Sequence, residues 1–397
     1  MSDKNNKTQK PGCRRVKFGD VVRQSKEKAD PETSGLERYI AGDHMDTDDL
    51  RLRRWGEIGS GYLGPAFHMR FKPGQILYGS RRTYLRKVAV ADFEGICANT
   101  TFVLYPKNPE ELLPEFLPFL MQTDAFNDFS VKNSKGSVNP YINFSDLAKF
   151  EFALPAMSQQ ERLVEQLAAM DSAIGGLEQV VEHANLLKEA LAKHHFGGSD
   201  GKKSLGSVCE LIRDGTHAPP KRTDCGPLLL GVTNLIDGRL QETPSDTKVS
   251  EDFYSKMHRS WEPKVGDVLL AIVGTVGKTA LVPESFPKFT LQRSVAVLRG
   301  IKGRLDNRFL RFFLASRPGQ RSLWSKVHQT AQPGLYLKDL GSILISDVSI
   351  ADQLVIANQV DEIETAVNGA QTRIAALKAI RYSSLNEALS AGEVSHV

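Results

Sequence analysis

The 397-residue sequence has few cysteines, no long apolar run and little net charge. Its four cysteines are scattered, which excludes a cysteine-rich zinc module and argues against a disulfide framework. No stretch of eighteen apolar residues occurs, so we expect nothing to span a membrane. The polar, lysine-rich start does not read as a secretory signal. We therefore expect a cytoplasmic protein that begins with a disordered leader over residues 1–15.

Recognisable catalytic signatures are missing as well. Residues 274–279 end like a phosphate-binding loop, but Ile272 stands where that loop needs its first glycine. We predict a hairpin turn followed by a strand there. His217 has no nucleophile or paired carboxylate at a recognisable spacing, and no adenine methyltransferase signature is present. We predict no catalytic residue, no metal site and no cofactor in this chain, although an enzyme with an unrecognised site is left open.

Two long amphipathic segments, residues 158–197 and 351–397, dominate what the sequence does contain. In each, apolar residues recur at alternating spacings of four and three, which is the seam of a coiled coil. The seam residues of the first helix are Leu163, Leu167, Met170, Ile174, Leu177, Val181 and Ala184. Those of the second, each 193 positions later, are Ile356, Val360, Ile363, Val367, Ala370, Ile374 and Leu377.

The length of these helices indicates how their seams are buried. At roughly 38 residues each would be ~57 Å long, more than one small domain can cover. We predict that they pair as an antiparallel intramolecular coiled coil; the alternative is two ordinary surface helices, each packed on its own domain. Gly175 and Gly176 interrupt the first helix and mark a bend or a close contact.

The rest of the chain repeats too, at offsets that grow from 187 to 193 residues. The turn glycines Gly74 and Gly266, for example, precede similar apolar strands. The predicted fold class is therefore α/β (α+β): two similar mixed α/β domains, residues 16–157 and 198–350, separated by the two long helices in a pseudo-twofold tandem repeat. Antiparallel helices would place the domains at opposite ends of a rod, with a glycine-rich linker at residues 197–202.

The two domains share an apolar framework but differ in their basic, aromatic and amide-rich loops. Residues 78–87 contain four cations and two aromatic residues, which suit contacts with phosphates and guanine edges; the alternative is a solvated hairpin. Residues 81–84 stand at a place comparable to 275–278. Unlike loops on one scaffold indicate two unlike DNA half-sites. The DNA-binding candidates are Ser80, Arg81, Arg82, Tyr84, Arg86, Lys87, Lys132, Lys135, Asn139, Thr216, His217, Lys221, Arg222, Thr275, Lys278, Thr279, Arg293, His328 and Gln329.

The whole order resembles the specificity (S) subunits of type I restriction–modification systems. The resemblance extends from about Val16 to about Leu389 and rests on residues 77–87, residues 212–217 and the sequence 154–162 that leads into the first long helix. It implies two target-recognition domains, each reading one half of a bipartite, asymmetric sequence in double-stranded DNA. The two conserved helical regions would set the gap between the halves.

The resemblance also implies partners. An S subunit is non-catalytic and docks two methyltransferase (M) subunits, which bind S-adenosylmethionine and methylate adenine at N6. Two restriction (R) subunits, which use ATP and Mg²⁺, accompany it where unmethylated DNA is also cleaved. The alternative interpretation is a coiled-coil scaffold whose globular ends bind proteins rather than DNA.

Overall fold

The chain forms two compact units in the computed structural model, which describes residues 14–198, 201–328 and 333–390. Unit 1 comprises residues 1–176 together with the C-terminal segment from Arg373, and unit 2 is Leu177–Thr372. The predicted leader, residues 1–15, lies outside the described residues except at its end. There the prediction is wrong, because Arg14 and Arg15 belong to the first strand. Part of the predicted linker, residues 199–200, also lies outside the described residues.

The first half of the chain forms short strands and helices and then the first long helix, whose residues from Leu177 belong to unit 2. The strands are β1 (Arg14–Lys17), β2 (Val22–Gln24), β3 (Arg38–Ile40), β4 (Gly56–Glu57), β5 (Phe67–Phe71), β6 (Ile76–Gly79), β7 (Val88–Val90), β8 (Gly95–Ala98), β9 (Thr101–Pro106) and β10 (Glu151–Leu154). The helices are α1 (Phe18–Val21), α2 (Leu117–Met121), α3 (Asp124–Lys132), α4 (Phe144–Leu147) and α5 (Met157–Phe196), and a 3₁₀ turn covers Thr83–Leu85.

The second half of the chain has a similar succession of elements and ends in the second long helix, whose residues from Arg373 belong to unit 1. Its strands are β11 (Lys202–Ser204), β12 (Cys209–Asp214), β13 (Arg222–Leu230), β14 (Leu235–Ile236), β15 (Arg239–Leu240), β16 (Thr247–Val249), β17 (Val268–Ala271), β18 (Thr279–Leu281), β19 (Phe289–Leu291), β20 (Val295–Gly300) and β21 (Leu344–Ser346). The helices are α6 (Leu205–Val208), α7 (Glu251–Met257), α8 (Asn307–Ala315), α9 (Arg317–Trp324), α10 (Leu337–Gly341) and α11 (Ile350–Ser390), and a second 3₁₀ turn covers Val232–Asn234.

The sheets of the two units share a common core of strands. The order β2-β9-β6-β7 in unit 1 returns as β12-β20-β17-β18 in unit 2, where β15 and β14 extend the sheet. The parallel pair β3 and β8 corresponds to the parallel pair β13 and β19. The central strands β6 and β17 are apolar and buried, as expected for strands covered on both faces. The mixed α/β fold class and the internal repeat are thus confirmed.

Glycine turns start the central strand in each unit. Gly74 before β6 has φ 83° and Gly266 before β17 has φ 80°, a region that residues with a Cβ rarely adopt. The predicted hairpin at residues 274–279 is also confirmed, because β17 and β18 pair antiparallel and Gly274 and Gly277 lie in the turn between them.

The two long helices are uninterrupted. α5 continues through Gly175 and Gly176 as regular helix, so these glycines do not break it. A Cβ on Gly175 would lie 2.8 Å from Nη1 of Arg51, so the side chain of Arg51 packs on the bare backbone there. The glycine therefore marks a close contact. In the described residues, neither long helix nor any other is apolar enough to cross a membrane.

Halves of α5 and α11 pack antiparallel within each unit. In unit 1, Leu167 and Leu385 share a small cluster with Phe119, and one turn further along α5 Asp171 pairs with Arg381 at 2.6 Å. In unit 2, the ends of both helices enter the main core through Ala192, Phe196, Ile356 and Val360. The fourteen predicted seam residues are all buried or half-buried. The predicted antiparallel pairing of the two long helices is thus confirmed, and the alternative of two separate surface helices is wrong.

A buried glutamine joins each long helix to the loop beside it. Gln160 is completely buried; its Oε1 accepts from Leu113 N at 2.9 Å, and its Nε2 donates to the carbonyl oxygens of Glu111 and Pro155, both at 2.9 Å. Gln353, 193 positions later, makes the corresponding three bonds in unit 2. The amide saturates backbone groups that would otherwise be buried without partners.

We predict that Gln160→Ala lowers the stability of unit 1 by about 2 kcal/mol, because one buried and two half-buried backbone groups lose their partner. Chemical denaturation followed by circular dichroism measures the change. Glu161→Ala, on the exposed side of the same turn, is the matched control and should have an effect within about 0.5 kcal/mol. Equal effects of the two substitutions would contradict this account.

Candidate nucleic-acid interface

Most of the described DNA-binding candidates come together at one end of the main sheet of each unit, which we call the loop edge. In unit 2 it is formed by the end of β12, the β17–β18 turn, residues 292–294 before β20 and residues 333–335. Thr216 bridges to Gln292, and Ile272 N donates to Ser294 O at 2.8 Å. Antiparallel neighbours bring strand ends and strand starts to the same edge.

The loop edge of unit 1 has the same backbone hydrogen bonds. Ser80 N donates to Thr100 O at 3.0 Å and Arg82 N to Pro140 O at 2.6 Å, while Gly274 N donates to Pro333 O at 2.9 Å in unit 2. Arg82 therefore occupies the place of Gly274. The two loop edges are built on one backbone plan with different side chains.

These bonds correct the predicted alignment of the two loops. Gly79 N donates to Lys87 O at 3.0 Å, and Ala271 N donates to Lys278 O at 2.8 Å. Lys278 thus corresponds to Lys87, as the similarity of residues 87–91 to residues 278–282 predicts. The comparison of residues 81–84 with residues 275–278, which placed Lys278 opposite Tyr84, is wrong. Between these bonded residues the loop of unit 1, residues 79–87, is one residue longer than that of unit 2, residues 271–278.

Exposed cations concentrate at the loop edge of unit 1. Arg81 and Arg82 are exposed and have no ion-pair partner among the described residues, and the same is true of Lys132 at the end of α3. Arg81 and Arg82, with Lys87 and Asn139, line a cavity of about 260 Å³ whose other lining residues carry no charge. Lys87 Nζ also donates to Gly42 O. The cavity can therefore receive an anionic group such as a phosphate.

Two candidates do not fit the DNA-binding prediction because they are buried. Ser80 is 5% exposed and its hydroxyl donates to Thr100 O at 2.7 Å. Thr279 is 6% exposed within β18. Both side chains belong to the interior of the sheet edge, so they support the loops without reaching a ligand.

Two further candidates hold their loops together. Arg86 binds Asp48 at 2.9 Å and Asp124 at 2.8 Å. Lys135 donates to Asp146 at 2.7 Å, and Lys149 binds the other oxygen of the same carboxylate at 2.9 Å. Hydrogen bonds from Lys135 and then Lys149 lower the pKa of Asp146 to about 2. Asp146 is thus ionised at neutral pH and pairs with both lysines.

The candidates of unit 2 are spread more widely. Thr275, Lys278 and Arg293 are exposed at the loop edge. His217 lies just beyond Thr216 and pairs with Asp214 at 2.8 Å, while His328 pairs with Asp339 at 3.0 Å.

Three other unit 2 candidates fall elsewhere. Lys221 and Arg222 are exposed, but Arg222 starts β13, whereas the opposite end of that strand, at Leu230, bonds to the loop edge. The structure therefore does not bring these two side chains to the loop edge. Gln329 lies outside the described residues.

The loop edges also hold aromatic residues that the sequence analysis missed. Tyr141 bridges to both Arg81 and Lys135 and is 42% exposed. Tyr336 is 65% exposed beside the ring of His328. The candidate Tyr84 is 54% exposed. Exposed rings next to cations can stack on unpaired bases or pack on sugars. The feature of the sequence that could have identified these residues is a tyrosine close to a predicted basic loop.

No alternative chemistry emerges from the described residues. They contain no group of three histidine, cysteine or acidic side chains placed to hold a metal ion. Residues 59–64 fit the Gly-x-Gly-x-x-Gly pattern of dinucleotide-binding loops, but they connect β4 to β5, whereas that loop opens a helix. The pattern therefore carries no dinucleotide site.

Two units of one topology, each built on halves of the same two helices, define a class of fold. A crystal structure of the type I restriction–modification system S subunit from M. genitalium has this fold: the TM-score is 0.64 at 16% identity, over 100% of this chain and 99% of that chain. A chain from a structural study of complex assembly and conformational transition in the type I R-M system gives a TM-score of 0.56 at 22% identity, over 96% and 98% of the two chains.

Sequence comparisons point to the same class. Residues 39–183 match the family model described as the type I restriction modification DNA specificity domain. The type I restriction enzyme EcoDI specificity subunit of Escherichia coli is 31% identical over 164 residues, 40% of this chain. The match spans 36% of that relative's length, or about a third. The resemblance to type I specificity subunits inferred from the sequence is confirmed.

We predict that the arginines of the 81–86 loop differ in their effect on stability. Arg86→Ala should lower it by about 1–2 kcal/mol, because Asp48 and Asp124 lose a half-buried partner. Arg81→Ala and Arg82→Ala should stay within about 0.5 kcal/mol, since their side chains are exposed. Thermal and denaturant unfolding compare the three variants. A loss from Arg81→Ala as large as that from Arg86→Ala would contradict the assignment.

Proposed function

We propose that this chain is the non-catalytic DNA specificity subunit of a type I restriction–modification complex. In this role it reads a bipartite, asymmetric sequence in double-stranded DNA and gives the enzymatic partners their address. Each unit reads one half-site through its loop edge. The contacting residues are drawn from Arg81, Arg82, Tyr84, Lys87, Lys132 and Asn139 in unit 1, and from Thr216, His217, Thr275, Lys278, Arg293 and His328 in unit 2.

The observation that carries the proposal is the difference between two loop edges of one backbone plan. Arg81 and Arg82 of unit 1 stand where unit 2 has Val273 and Gly274, while Lys87 and Lys278 keep a cation in both. The lysine that both loop edges share can contact the phosphate backbone, which is the same in every DNA sequence. The residues beside it differ between the two units, so they can contact different base pairs. Two readers with different loops favour an asymmetric target over a palindrome.

The partners and their cofactors belong to the same proposal. Two M subunits would bind S-adenosylmethionine and methylate adenine at N6, and two R subunits would use ATP and Mg²⁺ for cleavage. This chain would supply no catalytic group of its own. The paired helices would set the spacing between the half-sites, and the complex would act in the cytoplasm, where its DNA is.

A protein-binding scaffold remains the second candidate. Exposed apolar residues on the long helices, such as Leu186, Leu187 and Ile380, favour protein contacts along the helices. They do not account for the exposed cations at the loop edge of unit 1, which have no ion-pair partner in the described part of the chain. A scaffold that bound only proteins would show no salt-sensitive affinity for DNA.

Duplex binding tests the proposal. We expect the purified chain to bind random-sequence duplex DNA with an affinity that falls steeply with salt, and Arg81→Ala and Lys278→Ala each to reduce the slope by about one ion. Fluorescence anisotropy between 50 and 300 mM salt measures this. Arg222→Ala is the matched control, because it removes the same charge away from the loop edge.

Two results would contradict the assignment. One is the absence of salt-dependent binding by the unmodified chain. The other is an equal loss from Arg222→Ala and Arg81→Ala, which would mean that net charge, and not the loop edge, governs affinity.

A further inference from the structure

A hydrogen-bond network in unit 1 connects the basic loop to the last turns of α11. We infer that Asp124 and Tyr382 are positioning residues, through which the C-terminal turns of α11 hold the Arg81–Arg82 loop in its reading conformation. The role of this loop in DNA recognition rests on the proposed function. The coupling between α11 and the loop rests on the contacts within unit 1 alone.

The loop end of the network is Arg86. Its guanidinium donates to Asp124 Oδ1 at 2.8 Å, to Asp48 Oδ1 at 2.9 Å and to Gln122 O at 2.6 Å. Because these acceptors lie on α3, on the segment before it and on a separate loop, they fix the guanidinium from several sides. The end of the basic loop is thereby attached to α3.

The backbone of the loop needs such support. Arg82 has φ 48° and Arg86 has φ 51°, and a single 3₁₀ turn separates them. Left-handed conformations of residues with a Cβ cost on the order of 1 kcal/mol each and persist only where the surroundings hold them. The contacts of Arg86 hold the second of these positions, and Arg82 N holds the first by its bond to Pro140 O at 2.6 Å.

The helix end of the network is Tyr382 with Asn386. The hydroxyl of Tyr382 donates to Asp124 Oδ2, and Asp124 N donates to Asn386 Oδ1 at 2.9 Å. Residues four apart on a helix share a face, so both side chains reach the start of α3 together. Asp124 is thus held by α11 on one side and holds Arg86 on the other.

The charge state of Asp124 supports this arrangement. Partial burial raises the pKa of Asp124, but hydrogen bonds from Tyr382 and Arg86 outweigh it and the net pKa is lowered. The carboxylate is therefore ionised at neutral pH and can accept from both partners at once. The hydrogen bond to Asp124 raises the pKa of Tyr382, so the phenol stays protonated and remains a donor.

A second connection runs in parallel through Gln122. Its backbone oxygen accepts from Arg86 and its Oε1 accepts from Arg381 Nη2, each at 2.6 Å. Arg381 also pairs with Asp171 on α5, and Leu385 is buried with Phe119 of α2. The last turns of α11 are thus fixed by apolar and polar contacts before they reach the loop.

Unit 2 lacks this arrangement at the corresponding positions and serves as an internal control. Glu189, 193 positions before Tyr382, pairs with Arg317 at 3.1 Å, and Arg317 follows the N-cap Ser316 as Asp124 follows the N-cap Thr123. This ion pair is exposed. The turn at the loop edge is held instead by Gln320, whose Nε2 donates to Gly277 O at 2.9 Å.

The coupling can be measured without DNA. Tyr382→Phe removes one hydroxyl and keeps the ring, and Asp124→Asn removes the charge that holds Arg86. We expect amide hydrogen exchange of residues 82–87 to be about 3- to 10-fold faster in both variants, the range for losing one hydrogen bond. The double variant should show less than the product of the two effects, because both act through one path.

Two controls separate positioning from general weakening. Ser383→Ala removes a hydroxyl from the adjacent residue, where it contacts Glu387, and should leave exchange at 82–87 unchanged. Glu189→Gln breaks the corresponding pair of unit 2 and should leave residues 273–278 unchanged. Unchanged exchange at 82–87 in Tyr382→Phe and Asp124→Asn would overturn the inference, as would an equal increase across unit 1.

The role of the network in DNA recognition is tested with a set of duplexes. Each duplex carries the bipartite sequence that is methylated in the host, with one base-pair change in one half-site. Tyr382→Phe should lower discrimination in one half-site about 3- to 10-fold and leave the other unchanged. Equal discrimination by Tyr382→Phe and the unmodified chain in both halves would overturn the inference. If the unmodified chain bound no duplex, the proposed function would fail, while the exchange experiment would still decide the coupling.

Discussion

The burial of the seam between α5 and α11 is the constraint on which the rest of the structure depends. Unit 1 is not continuous in sequence: it closes only when the segment from Arg373 returns to pack on the first half of α5. Leu385 then completes a cluster with Leu167 and Phe119. An apolar stripe of this length would stay exposed on either helix alone, so the globular parts and the helices are stable together.

A polar layer repeats within this seam. Asp171 of α5 pairs with Arg381 of α11 in unit 1, and Glu364 of α11 pairs with Lys188 of α5 in unit 2. Glu364 lies 193 positions after Asp171, and Arg381 lies 193 positions after Lys188. The acidic residue is therefore on α5 in unit 1 and on α11 in unit 2. A half-buried ion pair adds little stability against well-packed apolar residues, but a polar group at a seam position specifies register. These pairs penalise a shift of one helix along the other.

Periodicity allowed both ends of α5 and the start of α11 to be predicted to within one residue, because a sustained repeat of 3.5 residues is typical of a long paired helix. Residues 391–397, the predicted end of the second segment, lie outside the described residues. The roles of the loop residues were harder to predict from the sequence. Arg86 was predicted to contact DNA, but its guanidinium is bound by Asp48 and Asp124, each 38 residues away in sequence. Thr279 is polar yet buried, because it begins a central strand. The continuation of the seam to Leu385 was missed, because Arg381 interrupts its apolar pattern.

Adenine methylation mapped across the host genome, with and without the gene for this chain, tests the central claim most directly. The account predicts loss of one gapped, asymmetric N6-methyladenine sequence when the gene is removed, and restoration of a sequence changed in one half only when residues 16–150 are exchanged for those of a relative. Identical methylation with and without the gene, in a host where the partner methyltransferase is active, would contradict it.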